Sequence, residues 1–155
     1  MAELVVGSKA PEFSLPGLDG EEVSLMSLCG EKGLILYFYP KDNTAGCTTE
    51  AQAFRDRLAD LEKLGYKVVG VSRDSVKSHC SFRDKHELNF PLLSDKEELA
   101  CGLYDVIKEK IMCGRQCRGI ERSTFVIDAS GVITHVFRGV KAKTHVEELY
   151  SELSK

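Results

Sequence analysis

Apolar positions along the chain change spacing several times, and each change marks an element. Near the N-terminus, Glu12-Phe13-Ser14-Leu15 and Glu22-Val23-Ser24-Leu25 alternate polar with apolar around a turn at residues 17–20, which predicts a short β-hairpin. Leu34-Ile35-Leu36-Tyr37-Phe38-Tyr39 is apolar without a break and stops at Pro40, the pattern of a central strand covered on both faces. Over residues 48–64 the period lengthens: Ala51, Phe54, Leu58, Leu61 and Leu64 line one helical face, and Gly65 provides its stop. Lys67-Val68-Val69-Gly70-Val71-Ser72 reads as a second buried strand, after which Asp74 or Ser75 can cap a helix running to about His86.

Phe90-Pro91-Leu92-Leu93 predicts a short strand and residues 97–104 a short helix with Leu99 and Leu103 turned inward, together resembling an insertion. Ser123-Thr124-Phe125-Val126-Ile127, a turn at residues 128–131, a strand over 132–137 and a helix over 144–153 give an antiparallel pair followed by a helix. The expected fold class is therefore α/β. A βαβ unit followed by ββα is the layout of a thioredoxin-like fold, with a central mixed sheet flanked by helices and an N-terminal β-hairpin extension. No repeat, low-complexity tract or Ser/Pro/Gly linker divides the chain, so a single domain over residues 1–155 is expected.

Composition narrows the partners. With 43% hydrophobic and 29% charged residues the chain has the balance of a globular protein. A net charge of -3 leaves no basic footprint, so neither a nucleic acid nor an acidic membrane surface is expected as the main partner. The first seven residues lack a positive flank and a long apolar stretch, and the apolar run at 34–39 is far too short to cross a bilayer, which points to the cytoplasm. In that reducing compartment the six cysteines are expected as thiols for reaction, metal binding or packing, not as a static disulfide framework.

The chemistry concentrates in Pro40-Lys41-Asp42-Asn43-Thr44-Ala45-Gly46-Cys47-Thr48-Thr49-Glu50, between the first central strand and the first long helix. Reactants bind at this kind of crevice in open α/β sheets, and the unpaired N–H groups of a helix start favour an anion such as a thiolate. Cys47 is thus a candidate nucleophile, with Thr44 placed either to cap the helix or to turn its hydroxyl toward the sulfur. The bland alternative is a packing cysteine beside an ordinary N-cap.

Pro40, Thr44 and Cys47 match at each spacing the active-site signature of the peroxiredoxins, which the sequence resembles. Tyr37-Phe38-Tyr39-Pro40-Lys41-Asp42 with Gly46-Cys47-Thr48 and Glu50 is similar to the Q-type branch, also called bacterioferritin comigratory protein. The resemblance extends through Lys9-Ala10-Pro11-Glu12-Phe13, Gly70-Val71-Ser72-Arg73-Asp74-Ser75 with Ser78-His79, Phe90-Pro91-Leu92-Leu93-Ser94-Asp95, and Glu121-Arg122-Ser123-Thr124-Phe125-Val126-Ile127-Asp128. It implies a thiol peroxidase that reduces hydrogen peroxide and organic hydroperoxides with Cys47. In this reading Thr44 and Arg122 stabilise charge on the peroxide oxygens and Pro40 shields the sulfur. No metal, haem, flavin or other cofactor is implied; the sulfenic acid on Cys47 becomes a disulfide that a thioredoxin-type reductant reopens.

Two positions depart from the common Q-type pattern. Ala45 stands where the family usually has proline, and Gln52 where many members carry the resolving cysteine. Some relatives place that cysteine in the next helix, which makes Cys80 the favoured partner, with Cys113 or Cys117 next, and Cys101, Cys29 or a thiol of another molecule open. A βαβ crossover also starts both helices at one edge of the sheet. The long C-terminal arm of typical two-cysteine relatives is not seen, so a monomer or weak homodimer is expected. A metal or copper role for the Cys113-x-x-x-Cys117 pair is disfavoured, because His79, His86, His135 and His145 form no close ligand pair. A thioredoxin-like disulfide reductase would need a second cysteine at position 50, which is Glu50. A redox-inactive interaction module is the remaining rival.

Overall fold

The strand β3, Gly33–Phe38, is buried at all six positions and forms the middle of a five-stranded sheet. The structure is a computed structural model and describes residues 4–112 and 114–155. On one side β3 pairs in parallel with β4, Tyr66–Ser72, and beyond it lies β5, Leu92–Ser94. On the other it pairs antiparallel with β8, Ser123–Asp128, which continues to β9, Ile133–Arg138. The sheet order β5-β4-β3-β8-β9 is the mixed sheet of a thioredoxin-like fold.

Alternation along β3 divides the interior into two cores. Leu34, Leu36 and Phe38 join Phe13, Leu15, Leu25, Tyr104 and Phe125 on one face. Ile35 and Tyr37 join Phe54, Leu61, Phe82, Val146 and Leu149 on the other. The second face is covered by helices α1 (Ala45–Lys63), α2 (Val76–His86) and α4 (His145–Leu153). The first is closed by the hairpin of β1 (Ser14–Pro16) and β2 (Glu22–Ser24) and by the short helix α3, Leu99–Leu103.

Boundaries follow from local chemistry. Gly65 adopts φ 98° and its N–H bonds the Glu62 carbonyl at 2.9 Å, ending α1 as its position implied. Ser75, rather than Asp74, caps α2, its Oγ accepting from Ser78 N at 3.1 Å. Three expectations need correction. Residues 90–93 do not begin an insertion: Leu92 pairs with Gly70 in register, so β5 is an edge strand of the central sheet. Leu99 is 51% exposed instead of inward. Asp95 accepts from the N–H groups of Leu99 and Cys101 at 2.8 and 2.7 Å, and this anchoring turns Ala100 and Cys101 to the core, with Leu103 packed partly against it. The third is an omission: β6 (Ile107–Met112) and β7 (Arg115–Ile120) form a separate hairpin. Its sequence is mostly charged and polar, and Ile111 points into solvent at 80% exposure, so no buried face marked it. Among the described residues no helix is long and apolar enough to cross a membrane.

Gly33 has φ 151°, and a Cβ there would collide with the Ile127 carbonyl oxygen and stand 2.9 Å from Asp128 Cα, both backbone atoms of the paired strand. Gly33→Ala is expected to destabilise by about 2 kcal/mol or more, lowering the melting temperature by roughly 4–8 °C. Gly102→Ala, in α3 with open space around it, should be neutral or slightly stabilising in the same thermal unfolding measurement.

Candidate active site

The sheet's carboxyl edge is where β3 releases the chain. Tyr39 N still donates to Val71 O at 3.1 Å, extending the ladder by one residue, and half-buried Pro40 then turns the backbone away. Asn43 takes the left-handed conformation at φ 63°, Thr44 returns to extended geometry, and α1 begins at Ala45. Cys47 is therefore the third residue of the helix, among the amides that have no partner within it, and is 1% exposed.

Arg122 immediately precedes β8, and the pairing of Phe38 with Ser123 brings it beside the loop after β3. Its Nη2 donates to Cys47 Sγ at 3.4 Å and its Nη1 to Glu50 Oε1 at 2.7 Å. The guanidinium lies against Gly46, where a Cβ would stand 3.1 Å from Nη2. With its side chain 14% exposed and Glu50 fully enclosed, this is no surface ion pair. Glu50, three residues after Cys47, projects from the same helical face.

Electrostatics set the two partners apart. Burial pushes the Glu50 carboxyl up to about 7 against the opposing pull of Arg122. Burial alone would lower Arg122, but the charges of Glu50 and Cys47 outweigh it and hold the guanidinium above its ordinary range. Both shifts are upward but for opposite reasons: enclosure disfavours the charged carboxylate, whereas the neighbouring Glu50 and Cys47 favour the charged guanidinium. Glu50 Oε2 and the Tyr37 hydroxyl are buried without hydrogen-bond partners, and burial, then Glu50, Cys47 and Asp42, raise the Tyr37 hydroxyl well above its usual value.

Thr44 occupies the N-cap position, but its hydroxyl makes no cap bond and instead donates to Lys41 O at 2.9 Å. As a donor there, the hydroxyl keeps its oxygen lone pairs free of any cap bond. Cys80, on α2, is half-buried and its thiol donates to Leu18 O at 3.1 Å, in the turn of the N-terminal hairpin. It is a free thiol and has no bond to Cys47. Cys29 and Cys101 are raised by burial and then by nearby carboxylates, which makes both poor thiolates. Cys117 is exposed on β7, and Cys113 lies outside the described residues.

Among the described residues, Asp42, Asp74 and His79 form a cluster whose ligand-type atoms lie within 4.8 Å of one another. Hydrogen-bond donors already occupy it: the Tyr39 and Ser78 hydroxyls reach Asp42, and the Ser72 hydroxyl reaches Asp74. No local pattern marks this cluster, since Asp42 and His79 are 37 residues apart. Glu50 was named only as part of the motif shared with the Q-type branch, and its helical spacing places it on the face of Cys47.

A buried carboxyl at about 7 in the folded chain stands above its unfolded value near 4.3, so the folded state binds the extra proton between them. Stability contributed by protonated Glu50 is then complete below about pH 4 and lost as pH rises through 7. Glu50→Gln should remove this slope. Chemical denaturation from pH 4.5 to 8 is expected to show the unsubstituted protein losing on the order of 3 kcal/mol relative to the variant; parallel profiles would contradict it.

Residues 6–136 match the AhpC/TSA family. A Coxiella burnetii relative is 51% identical over 148 residues, spanning 96% of this chain and 97% of its own. Peroxiredoxin Bcp of Bacillus subtilis is 46% identical over 96% of this chain and 94% of its own. The bacterioferritin comigratory protein of Xanthomonas campestris, solved as trapped-intermediate and ligand complexes bearing on its alkyl peroxide reduction activity, superposes with a TM-score of 0.84. That match has 44% identity and covers 92% of this chain and 90% of the Xanthomonas chain. By sequence along nearly its whole length and by fold, the chain belongs to the AhpC/TSA family and is a thiol peroxidase of the peroxiredoxin Q, or Bcp, class.

Proposed function

We propose that Cys47 is the peroxidatic thiol, acting on hydrogen peroxide and organic hydroperoxides within a single catalytic domain. The observation that carries this reading is the Arg122 guanidinium, which spans Cys47 Sγ and Glu50 at the start of α1. The Cys47 thiolate attacks the near oxygen of ROOH; the S–O bond forms, the O–O bond breaks, and RO⁻ leaves to take up a proton as water or an alcohol. Arg122, the first-turn amides and the Thr44 oxygen face the region where charge moves from sulfur to oxygen. Organic hydroperoxides are included because the related Xanthomonas protein reduces alkyl peroxides.

Cys47 is left as a sulfenic acid. The Cys80 thiol then attacks its sulfur, the S–S bond forms and the hydroxyl departs as water, after which a thioredoxin-type dithiol reduces the disulfide. Support for Cys80 is its exposure and its place on the helix that leaves β4 at the active-site edge of the sheet. Its thiol must first leave the Leu18 carbonyl, and because a disulfide needs Cα atoms within about 7 Å, local unwinding of both helix starts, of α1 and of α2, is expected to accompany the reaction.

Cys47→Ser is expected to abolish peroxide consumption while Cys29→Ser leaves it intact; fast residual turnover in Cys47→Ser would remove the assignment. Arg122→Ala should slow Cys47 oxidation by about tenfold or more, as loss of one charge-stabilising donor does. Peptide mapping after one equivalent of peroxide should find a Cys47–Cys80 link. A link to Cys113 or Cys117, or unaltered thioredoxin-driven turnover in Cys80→Ser, would transfer the resolving role.

A further inference from the structure

The loop from Pro40 to Thr44 is held from behind by a chain of buried hydrogen bonds that the peroxidase chemistry does not itself use. Asp42 accepts the Tyr39 hydroxyl at 2.6 Å on Oδ1, and the Ser78 hydroxyl at 2.8 Å and His79 Nδ1 at 2.7 Å on Oδ2. His79 Nε2 lies 3.0 Å from Leu93 O at the end of β5. The Tyr39 hydroxyl also lies 3.3 Å from Nδ1, and with Asp42 at one nitrogen and Leu93 O at the other the imidazole acts as a strut between sheet and loop. Asp42 and His79 are each about 1% exposed in their side chains. Loss of the Tyr39 bond would leave buried Oδ1 without that donor, and loss of either bond to Oδ2 would leave it with one donor in place of two.

A second link reaches the active site. The Asp42 N–H donates to Asp74 Oδ2 at 2.8 Å, and Asp74 is fixed in turn by the Ser72 hydroxyl at 2.6 Å. That N–H and the Lys41 carbonyl belong to one planar peptide unit, so fixing the direction of the first fixes the second. The Lys41 carbonyl is the acceptor of the Thr44 hydroxyl at 2.9 Å. Orientation therefore passes from α2 and β5, through the 41–42 peptide, to the hydroxyl three residues before Cys47.

We propose that His79 and Asp42 are positioning residues for the peroxidase reaction, holding the 41–42 peptide so that Thr44 presents its oxygen lone pairs beside Cys47. The proposal rests on Cys47 being the attacking thiol. Asp42, Asp74 and His79 together have the composition of a metal site, but a cation would have to displace donors already seated on both Asp42 oxygens and on Asp74 Oδ2. The geometry is that of a mechanical support.

Two substitutions at one position separate positioning from mere stability. An asparagine amide nitrogen falls near Nδ1 of the histidine it replaces and a glutamine amide nitrogen near Nε2. His79→Asn thus keeps the bond to Asp42 and gives up Leu93, while His79→Gln does the reverse. The readout is the second-order rate constant for Cys47 oxidation by hydrogen peroxide, followed by rapid quench and intact mass, beside the melting temperature of each reduced protein. The expected result is a rate about tenfold lower in His79→Gln and within about threefold of the unsubstituted protein in His79→Asn, with comparable melting temperatures. Equal rates in the two variants, or rates that follow the melting temperatures, would overturn the proposal. Should His79→Gln not fold, Ser78→Ala removes one donor to Asp42 and is expected to slow oxidation about threefold, an unchanged rate counting against it. Absence of Cys47 oxidation in the unsubstituted protein would strike the assignment of the thiol itself, a result distinct from either.

Discussion

The register of β3 between its two neighbours is the constraint from which the site follows. Phe38 stands opposite Ser123 in the antiparallel partner and opposite Val71 in the parallel one. Arg122 is consequently delivered from one side of the loop after β3, and Ser72 with Asp74 from the other. A one-residue slip would exchange Tyr37 for Phe38 between the two cores, so the burial of both faces fixes the register strongly. The side chains around Cys47 are few, but their placement is enforced by two apolar cores that share a single strand.

Within that frame the decisive quantity is how much negative charge one guanidinium can support. Two ionisable groups, Cys47 and Glu50, share Arg122 in a region with almost no solvent access, where charge interactions are far stronger than in water. Burial of the carboxyl outweighs its bond to Arg122 and lets it take a proton near neutrality. A neutral Glu50 still accepts from Nη1 but no longer competes as an anion. The charge of Arg122 is then directed toward sulfur.

Much of this was legible in the chain. The unbroken apolar run before Pro40 and the three- and four-residue spacing after Thr48 identified β3 and α1, and their junction singled out Cys47 and Thr44. Arg122 could be named only through the peroxiredoxin resemblance, since an arginine before a strand acquires its neighbours from strand register, which local pattern does not encode. The same reason hid Asp42 and His79. Leu99 was misread because a carboxylate anchoring two backbone amides rotated α3 away from the face its periodicity favoured. The β6–β7 hairpin escaped because it buries too little to leave an alternation, and of the two orientations open to Thr44 the helix cap lacks its side-chain bond.

The contact between Cys47 and Arg122 joins residues 75 positions apart, and the one to Glu50 spans 72. Proteins are synthesised from the N-terminus, so the thiol emerges long before the strand that follows its guanidinium. Until β8 docks beside β3, Cys47 is without the Arg122 guanidinium that faces it in the finished fold. The topology thus makes the pairing of Cys47 with Arg122 a property of the completed sheet, absent from unfinished chains.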